Sequence, residues 1–182
     1  MNQILVMTLL GQDRPGLVEM VARLVNDHQG NWLESRVSHL GGQFAGILRV
    51  AVPEDQADSL LQALGALASQ GLKVLAHPAA ELSKPSSGAL VQLEIVGQDR
   101  PGIIRQISHT LAAHQVNVEE LDTECSSAPM SGETLFTAKA RLRLPSTPAG
   151  TADLQKALET IAADLMVECS FAPLEEAPPT PR

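Results

Sequence analysis

The chain has 182 residues but few aromatic side chains: one tryptophan, three phenylalanines and no tyrosine. Because 44% of its residues are nevertheless hydrophobic, its core must be built from aliphatic side chains. It also lacks an apolar run near the roughly 20 residues that cross a bilayer. No basic segment followed by an apolar one stands at the amino terminus. We therefore expect no contact with a membrane and a cytoplasmic location.

Clusters of basic residues and paired cysteines are missing as well. The net charge is −8, and affinity for a phosphate backbone comes from cationic contacts, so we expect no direct binding of nucleic acid. Cys125 and Cys169 have no paired metal spacing. They are predicted to be reduced thiols, with a disulfide or a metal as lesser alternatives. No Walker loop, G-x-S-x-G or H-E-x-x-H motif is present, so we predict neither an enzyme nor a cofactor.

One hexapeptide occurs twice. Gly-Gln-Asp-Arg-Pro-Gly spans Gly11–Gly16 and returns unchanged at Gly97–Gly102, 86 residues later. The same offset aligns further identical residues, among them His28-Gln29 with His114-Gln115 and Asn31 with Asn117. Such internal repetition predicts two copies of one small domain.

Each hexapeptide follows an apolar strand and precedes an apolar helical pattern. The glycine at its start, Gly11 or Gly97, is interpreted as the residue that permits a turn. The proline, Pro15 or Pro101, is favourable in the first turn of a helix, so each helix is predicted to begin near it. The hexapeptide is thus predicted to lie between a strand and a helix N-terminus.

This position predicts a small binding site. Free N–H groups at a helix N-terminus attract a carboxylate or phosphate, and Gly16 and Gly102 let a ligand approach the backbone. Asp13 and Asp99 lie next to that position and can accept an ammonium group. The pair would suit an α-amino acid. The alternative is that each aspartate only caps its helix and that the glycines only shape the turn.

Helical spacing continues after each hexapeptide, with apolar residues predicted to form one buried stripe per helix. The stripes are Val18, Val21 and Val25 in the first copy and Ile104, Ile107 and Leu111 in the second. His28 and His114 fall near the helix ends, where they are predicted to bond the last carbonyls. Contact with a ligand is the alternative role for both histidines.

Three strands and a second helix complete each copy. The second strand begins after Asn31 or Asn117, and the third alternates between apolar and polar residues. Gly41-Gly42 predicts a tight hairpin, whereas residues 126–132 form a longer loop in the second copy. The order strand, helix, strand, strand, helix, strand predicts an α+β fold of two ferredoxin-like (βαββαβ) domains in tandem. We assign domain 1 to residues 1–82, a linker to 83–88, domain 2 to 89–172 and a disordered tail to 173–182.

A strand leading into G-x-D-R-P-G, an amphipathic helix and an asparagine opening the next strand resemble the ACT domain. In that family, small effectors, mostly amino acids, bind where the first strand's loop meets the second strand of a neighbouring domain. The resemblance therefore implies two sets of ligand-binding residues. They are Gly11, Asp13, Arg14, Gly16 and Asn31 in the first copy and Gly97, Asp99, Arg100, Gly102 and Asn117 in the second.

An acidic chain made only of two ACT domains further resembles repressors of the glycine cleavage system. The resemblance implies regulation of transcription through a LysR-type activator, with glycine as the first candidate effector. A stand-alone allosteric subunit of a metabolic enzyme is the alternative. Trp32 and Leu33 depart from the small aliphatic residues that are more common there in the family, so the first pocket is expected to be partly filled. Open sheet edges suggest that the two halves pair edge to edge or that chains form a homodimer.

Overall fold

The computed structural model describes residues 1–79, 88–127, 133–146 and 150–174. The chain divides into two compact units, Met1–Ser83 and Lys84–Arg182, called domain 1 and domain 2 below. Of the predicted linker at 83–88, all but Gly88 lies outside the described residues, and so does the predicted tail from residue 175 onward.

Both domains follow the same order of elements. Domain 1 contains β1 (Asn2–Gln12), α1 (Leu17–Asp27), β2 (Asn31–Leu40), β3 (Gln43–Pro53), α2 (Glu54–Ala66), a short 3₁₀ helix (Leu67–Gln70) and β4 (Leu72–Pro78). Domain 2 contains β5 (Leu90–Gln98), α3 (Ile103–Ala113), β6 (Asn117–Ser127), β7 (Thr134–Arg143), α4 (Gly150–Leu165) and β8 (Val167–Pro173). The sheets have the orders β2-β3-β1-β4 and β6-β7-β5-β8, with antiparallel pairing throughout. The predicted ferredoxin-like α+β fold is confirmed.

Each core lies between the sheet and its helices and is almost wholly aliphatic. The predicted alternation of the third strands is correct, since Phe44, Leu48 and Val50 are buried in β3 and Phe136, Ala138 and Leu142 in β7. The leucines of the second helices are also buried. They are Leu60 and Leu64 in α2, Leu67 in the 3₁₀ turn, and Leu154 and Leu158 in α4.

The stripe predicted for the first helix is wrong at Val18. Val18 is 44% exposed, whereas Leu17 and Met20 are buried beside Val21 and Val25. The buried stripe starts at Leu17 and continues at Val21 and Val25, one helical turn apart, which turns Val18 to the side. The helix itself begins at Leu17, two residues beyond the predicted Pro15. In domain 2, the corresponding Ile104 is partly buried against the core, while Ile103 is fully buried.

The hairpin turn of domain 1 is as predicted, but the end of the last strand in domain 2 is not. Gly41 and Gly42 have φ angles of 57° and 76°, which a two-residue type I′ hairpin requires, so the predicted tight turn is confirmed. Pro173, assigned to the tail, is instead the last residue of β8, where it lies opposite Val91. Of the longer loop, Ser126 and Ser127 belong to β6, and residues 128–132 lie outside the described part.

Candidate functional site

The repeated hexapeptide forms the same turn in both domains. After β1, the Asp13 N–H donates to the Gly42 carbonyl oxygen at 2.9 Å, and the Asp99 N–H donates to Thr134 in the same way at 2.9 Å. The last glycine of each hexapeptide then caps the helix in the left-handed region, with φ of 92° at Gly16 and 99° at Gly102. A residue with a Cβ rarely adopts this conformation, so these two glycines set the helix start.

The aspartates do not cap the helices. Neither α1 nor α3 has a side-chain hydrogen bond at its N-cap. The first helical bonds run from Met20 N–H to Gly16 oxygen and from Gln106 N–H to Gly102 oxygen, each 3.0 Å long. The N–H groups between them have no partner within the helix, which is the arrangement that favours an anion. Both aspartates are exposed and precede the N-cap glycine in the same turn.

The first glycine of each hexapeptide was predicted to make the turn. It has a packing role within the strand instead. Gly11 is buried within β1, where a Cβ would lie 2.6 Å from the Gly71 carbonyl oxygen. A Cβ on Gly97 would lie 2.5 Å from Val167 Cγ1 and 2.8 Å from its Cα. The segment at the start of β4 or β8 in the same domain lies too close to leave room for any side chain at these two positions.

The two arginines are held by their own domains. Arg14 donates to the Gln70 carbonyl oxygen at 2.9 Å and so fastens the turn to the 3₁₀ helix. Arg100 donates to the side chain of Gln98 at 3.1 Å. These bonds orient the guanidinium groups at the turn, although they also give each arginine a structural role.

The asparagines lie at the other end of each sheet. Asn31 is opposite Ala51, which in turn is opposite Ile4, whereas Asp13 follows Gln12 at the far end of β1. Eight residues of strand, or about 27 Å, separate the two ends. Asn117 has the same position relative to Asp99, through Arg143 and Leu90. The turn and the asparagine of one domain are therefore too far apart to contact the same small ligand.

The two turns carry different charges. The first turn of α1 contains Glu19, whereas the corresponding residue in α3 is Arg105. The Asp13 carboxylate lies 3.6 Å from Nε2 of His39, and Cys125 takes the equivalent place in β6. The turn of domain 2 is thus the more favourable one for a carboxylate, because no acidic side chain stands in its first helical turn.

His28 and His114 have the role that was predicted for them at the helix ends. Their Nδ1 atoms lie 2.8 Å from the Leu24 carbonyl oxygen and 2.9 Å from that of Thr110. These bonds satisfy a carbonyl of the last turn, so neither imidazole needs a ligand to explain its position. Trp32, expected to fill the first pocket, is partly buried against the core of domain 1.

A charged cluster beside Asn117 was missed by the sequence interpretation. Glu119 accepts hydrogen bonds from Arg141 and Arg143, which belong to the polar positions of the third strand. Glu119 is the extra residue at a bulge in β6, and only 12% of the Arg143 side chain is exposed. Alternation in β7 indicated an outward direction, but it gave no sign of the bulge that brings Glu119 to the two arginines.

Glu119 should make stability depend on pH. The hydrogen bond from Arg143, followed by the charges of both arginines, lowers the pKa of Glu119 below its ordinary value of 4.5 despite partial burial. A carboxyl whose pKa is lower in the folded state contributes stability above its unfolded pKa, and this is lost as pH falls through the folded value. Glu119→Gln should therefore cost about 1–3 kcal/mol at neutral pH.

The measurement is the unfolding free energy of both proteins in denaturant between pH 3 and 7. The difference between them should shrink as the pH falls below 4.5, where Glu119 of the unfolded chain begins to take up a proton, and it should be gone once the pH has fallen through the lower pKa of the folded state. Glu34→Gln is the control, because Glu34 forms an exposed pair with Arg49 and its replacement should change little. An equal loss at pH 3 and pH 7 would show that the charge of Glu119 is not what stabilises the domain.

Comparison with known families agrees with this architecture. Two ACT-domain models match the chain, one over residues 3–75 and the other over residues 91–141. The chain belongs to the ACT-domain family. The predicted tandem arrangement is confirmed, with one ACT domain in each compact unit.

The chain is also similar to individual proteins over most of their length. It is 25% identical over 169 residues to the glycine cleavage system transcriptional repressor of Escherichia coli strain K12. The aligned residues make up 92% of this chain and 88% of the repressor. A crystal structure of an unknown protein from Galdieria sulphuraria matches with a TM-score of 0.85 and 26% identity, over 96% of this chain and 100% of that one. A candidate glycine cleavage system transcriptional repressor matches with a TM-score of 0.70 and 21% identity, over 97% and 99%.

These similarities indicate a regulatory protein rather than a catalytic one. Within the described residues, no group of three or more His, Cys, Asp or Glu is placed to hold a metal ion. No helix in that part of the chain is long and apolar enough to cross a membrane. Cys125 and Cys169 are free thiols, and partial burial raises the pKa of Cys169.

Proposed function

We propose that this ACT protein regulates transcription in response to an amino acid, through a partner activator rather than by contacting DNA. The observation that carries the proposal is the repeated turn, where an exposed aspartate is followed closely by a helix N-terminus that has no side-chain cap. The similarity to the glycine cleavage system repressor makes glycine the first candidate effector and a LysR-type activator the candidate partner.

Domain 2 carries the stronger site. The N–H groups at the start of α3 attract the carboxylate of the effector, Arg105 adds positive charge nearby, and the exposed Asp99 accepts its ammonium group. Gly102 has no heavy atom within 4 Å of the place where a Cβ would be, so a ligand can reach the backbone there. Domain 1 offers the same backbone, but Glu19 opposes an anion at α1.

Asn31 and Asn117 lie too far from the turn of their own domain to join its site, since about 27 Å of sheet separates them. A second copy of the chain in a homodimer would supply an asparagine to that site. Binding of the effector would then hold two chains together, which is a route from ligand to a changed partner surface.

The purified protein alone should not bind duplex DNA. Its net charge is −8, so few phosphate contacts can release counterions. An electrophoretic mobility assay at about 150 mM salt should show no shift of random duplex at micromolar protein. Salt-sensitive binding at submicromolar protein would contradict a mechanism that acts through a partner.

The partner can be identified by capture from an extract of the source organism, with and without glycine. Enrichment of a LysR-type activator that changes with glycine supports the proposed function. Enrichment of a metabolic enzyme supports the alternative, an allosteric subunit. The Asp99→Ala variant is the matched control, because it should lose the effect of glycine without losing the fold.

A further inference from the structure

The outer face of the domain 1 sheet, on the side away from the helices, has exposed apolar residues at its middle. Ile47 in β3 and Leu75 in β4 both lie opposite Thr8 of β1, so the three residues stand side by side. Ile47 is 56% exposed and Leu75 is 73% exposed. Val6 and Leu10 lie on the same face of β1, two residues to either side of Thr8. We call Val6, Leu10, Ile47 and Leu75 the apolar centre.

Domain 2 has the same fold without an apolar centre. At the three side-by-side positions it has Glu94, Lys139 and Ser170. Glu94 and Lys139 form an exposed ion pair, with 3.0 Å between Oε1 and Nζ. Polar side chains are therefore compatible with the fold at these positions, and the apolar ones of domain 1 have another cause. Exposed apolar patches rimmed by polar residues are typical of interaction surfaces.

Basic side chains surround the apolar centre. Arg36 in β2, Arg49 in β3 and Lys73 in β4 are outward-facing, and each lies opposite a residue of that centre. Among the outward positions of β1–β4, all of which the structure describes, Glu34 is the one acidic residue. It is paired with Arg49 at 3.2 Å. The rim of the apolar centre is thus positively charged.

The basic rim occurs only in the domain that has the apolar centre. In domain 2, Asp122 takes the place of Arg36 and Glu168 takes the place of Lys73. The chain as a whole has a net charge of −8, so a basic rim is not what its composition would produce by itself. Because complementary charges select the partner at an interface, this rim favours an acidic one.

The dimensions of the apolar centre match those of one helix. Ile47 and Leu75 are two strand spacings apart, or about 10 Å, close to the diameter of a helix with its side chains. Val6 and Leu10 are about 13 Å apart along β1, the length of about nine helical residues. A depression of about 400 Å³ beside Ile47 gives room for one large side chain. Its lining includes the small residues Thr8, Ser38 and Ala45.

We propose that the apolar centre docks an amphipathic helix of another protein, with acidic side chains on both sides of the apolar stripe of that helix. A second copy of this chain is a poorer occupant of this face, because it would bring Arg36, Arg49 and Lys73 against the same cations. The apolar centre, about 10 by 13 Å, is also far smaller than the roughly 800 Å² that each protein buries in a standard interface. The helix would belong to the partner through which the protein acts, and in this respect the inference rests on the proposed function.

Two synthetic peptides of about 14 residues, or four helical turns, serve as probes. The first has a stripe of leucines flanked by glutamates, with alanine elsewhere, and the second has lysine in place of every glutamate. Each is titrated, without glycine, into the full-length protein labelled with ¹³C at the methyl groups of Ile, Leu and Val. The methyls of Val6, Ile47 and Leu75 report on the apolar centre. The methyls of Val96, which domain 2 has in place of Leu10, are the internal control.

The glutamate peptide should give saturable shifts at the apolar centre and none at Val96. The lysine peptide should bind at least about tenfold more weakly, because its charge opposes the rim. Ile47→Lys, which introduces the residue of domain 2, should weaken binding of the glutamate peptide at least about tenfold. Leu121→Lys is the matched control, because it adds the same charge at a 48% exposed position of domain 2 and should leave binding unchanged. Leu75→Ser decides the matter if Ile47→Lys does not fold.

The proposal is overturned if the glutamate peptide gives no saturable shifts at the apolar centre, or if the lysine peptide binds as tightly. Sedimentation of the wild type, Ile47→Lys and Leu121→Lys tests the other occupant. A dimer that only Ile47→Lys dissociates would show that a second copy covers this face, which would also overturn the proposal. Since the titrations contain neither glycine nor an activator, a failure of the proposed amino-acid response would leave their outcome unchanged, and the reverse also holds.

Discussion

Gly97→Ala is expected to destabilise domain 2 by about 1–3 kcal/mol, a cost typical of overpacking. The added Cβ would lie 2.8 Å from Val167 Cα, and the backbone can move away only by breaking its pairing with β5. Unfolding in denaturant, followed by circular dichroism, gives the difference in unfolding free energy between the variant and the wild type. The same variant tests the corrected role of Gly97. If Gly97 serves only to make room for β8, the free amino acid glycine should still bind to the folded fraction of the variant.

Gly65→Ala is the matched control. Gly65 lies inside α2 with no heavy atom within 4 Å of an added Cβ, so alanine there should stabilise domain 1 by about 0.5–1 kcal/mol. The same chemical change should thus have opposite signs at the two sites. A Gly97→Ala protein as stable as the wild type would mean that close approach of β8 does not explain this glycine.

The fold could be predicted because the repeat and the strand alternation are local patterns. Phe44, Leu48 and Val50 mark the buried face of β3 by their spacing alone, and their counterparts in β7 do the same. The first residue of the helix was harder to predict from the sequence. Pro15 favours a first-turn position, but Gly16 adopts the left-handed conformation, so the helix begins only at Leu17. Propensity indicates that a helix exists more reliably than it indicates the first residue.

The site was predictable only in part, because its geometry depends on contacts far apart in the sequence. The spacing within the hexapeptide gave no indication that Gly11 faces the carbonyl oxygen of Gly71. Nor could it show that Asn31 lies at the opposite end of the sheet from Asp13, since that follows from strand register. The Glu119 cluster depends on a bulge, which leaves no periodic signal in the sequence.

Glycine at 100 times its dissociation constant is expected to stabilise the domain that binds it by about 2.7 kcal/mol. Asp99→Ala removes the acceptor of the ammonium group, and a hydrogen bond to a charged group contributes about 1.5–3 kcal/mol. The affinity should then fall by roughly 10- to 100-fold. At the same glycine concentration, the remaining stabilisation would be about 1.4 to 0.4 kcal/mol. Denaturant unfolding with and without glycine measures both values.

The stability of the Asp99→Ala protein without ligand should match the wild type to within about 0.5 kcal/mol, because Asp99 is exposed and buries no apolar surface. Asp13→Ala is the matched variant in domain 1, and it should have the smaller effect because Glu19 opposes an anion at that turn. Arg105→Glu, which gives α3 the charge of α1, should weaken binding while leaving Asp99 in place. If glycine stabilises Asp99→Ala fully but fails to stabilise Asp13→Ala, the working site is in domain 1. If a panel of amino acids stabilises none of the proteins, the repeated turn is not an amino-acid site.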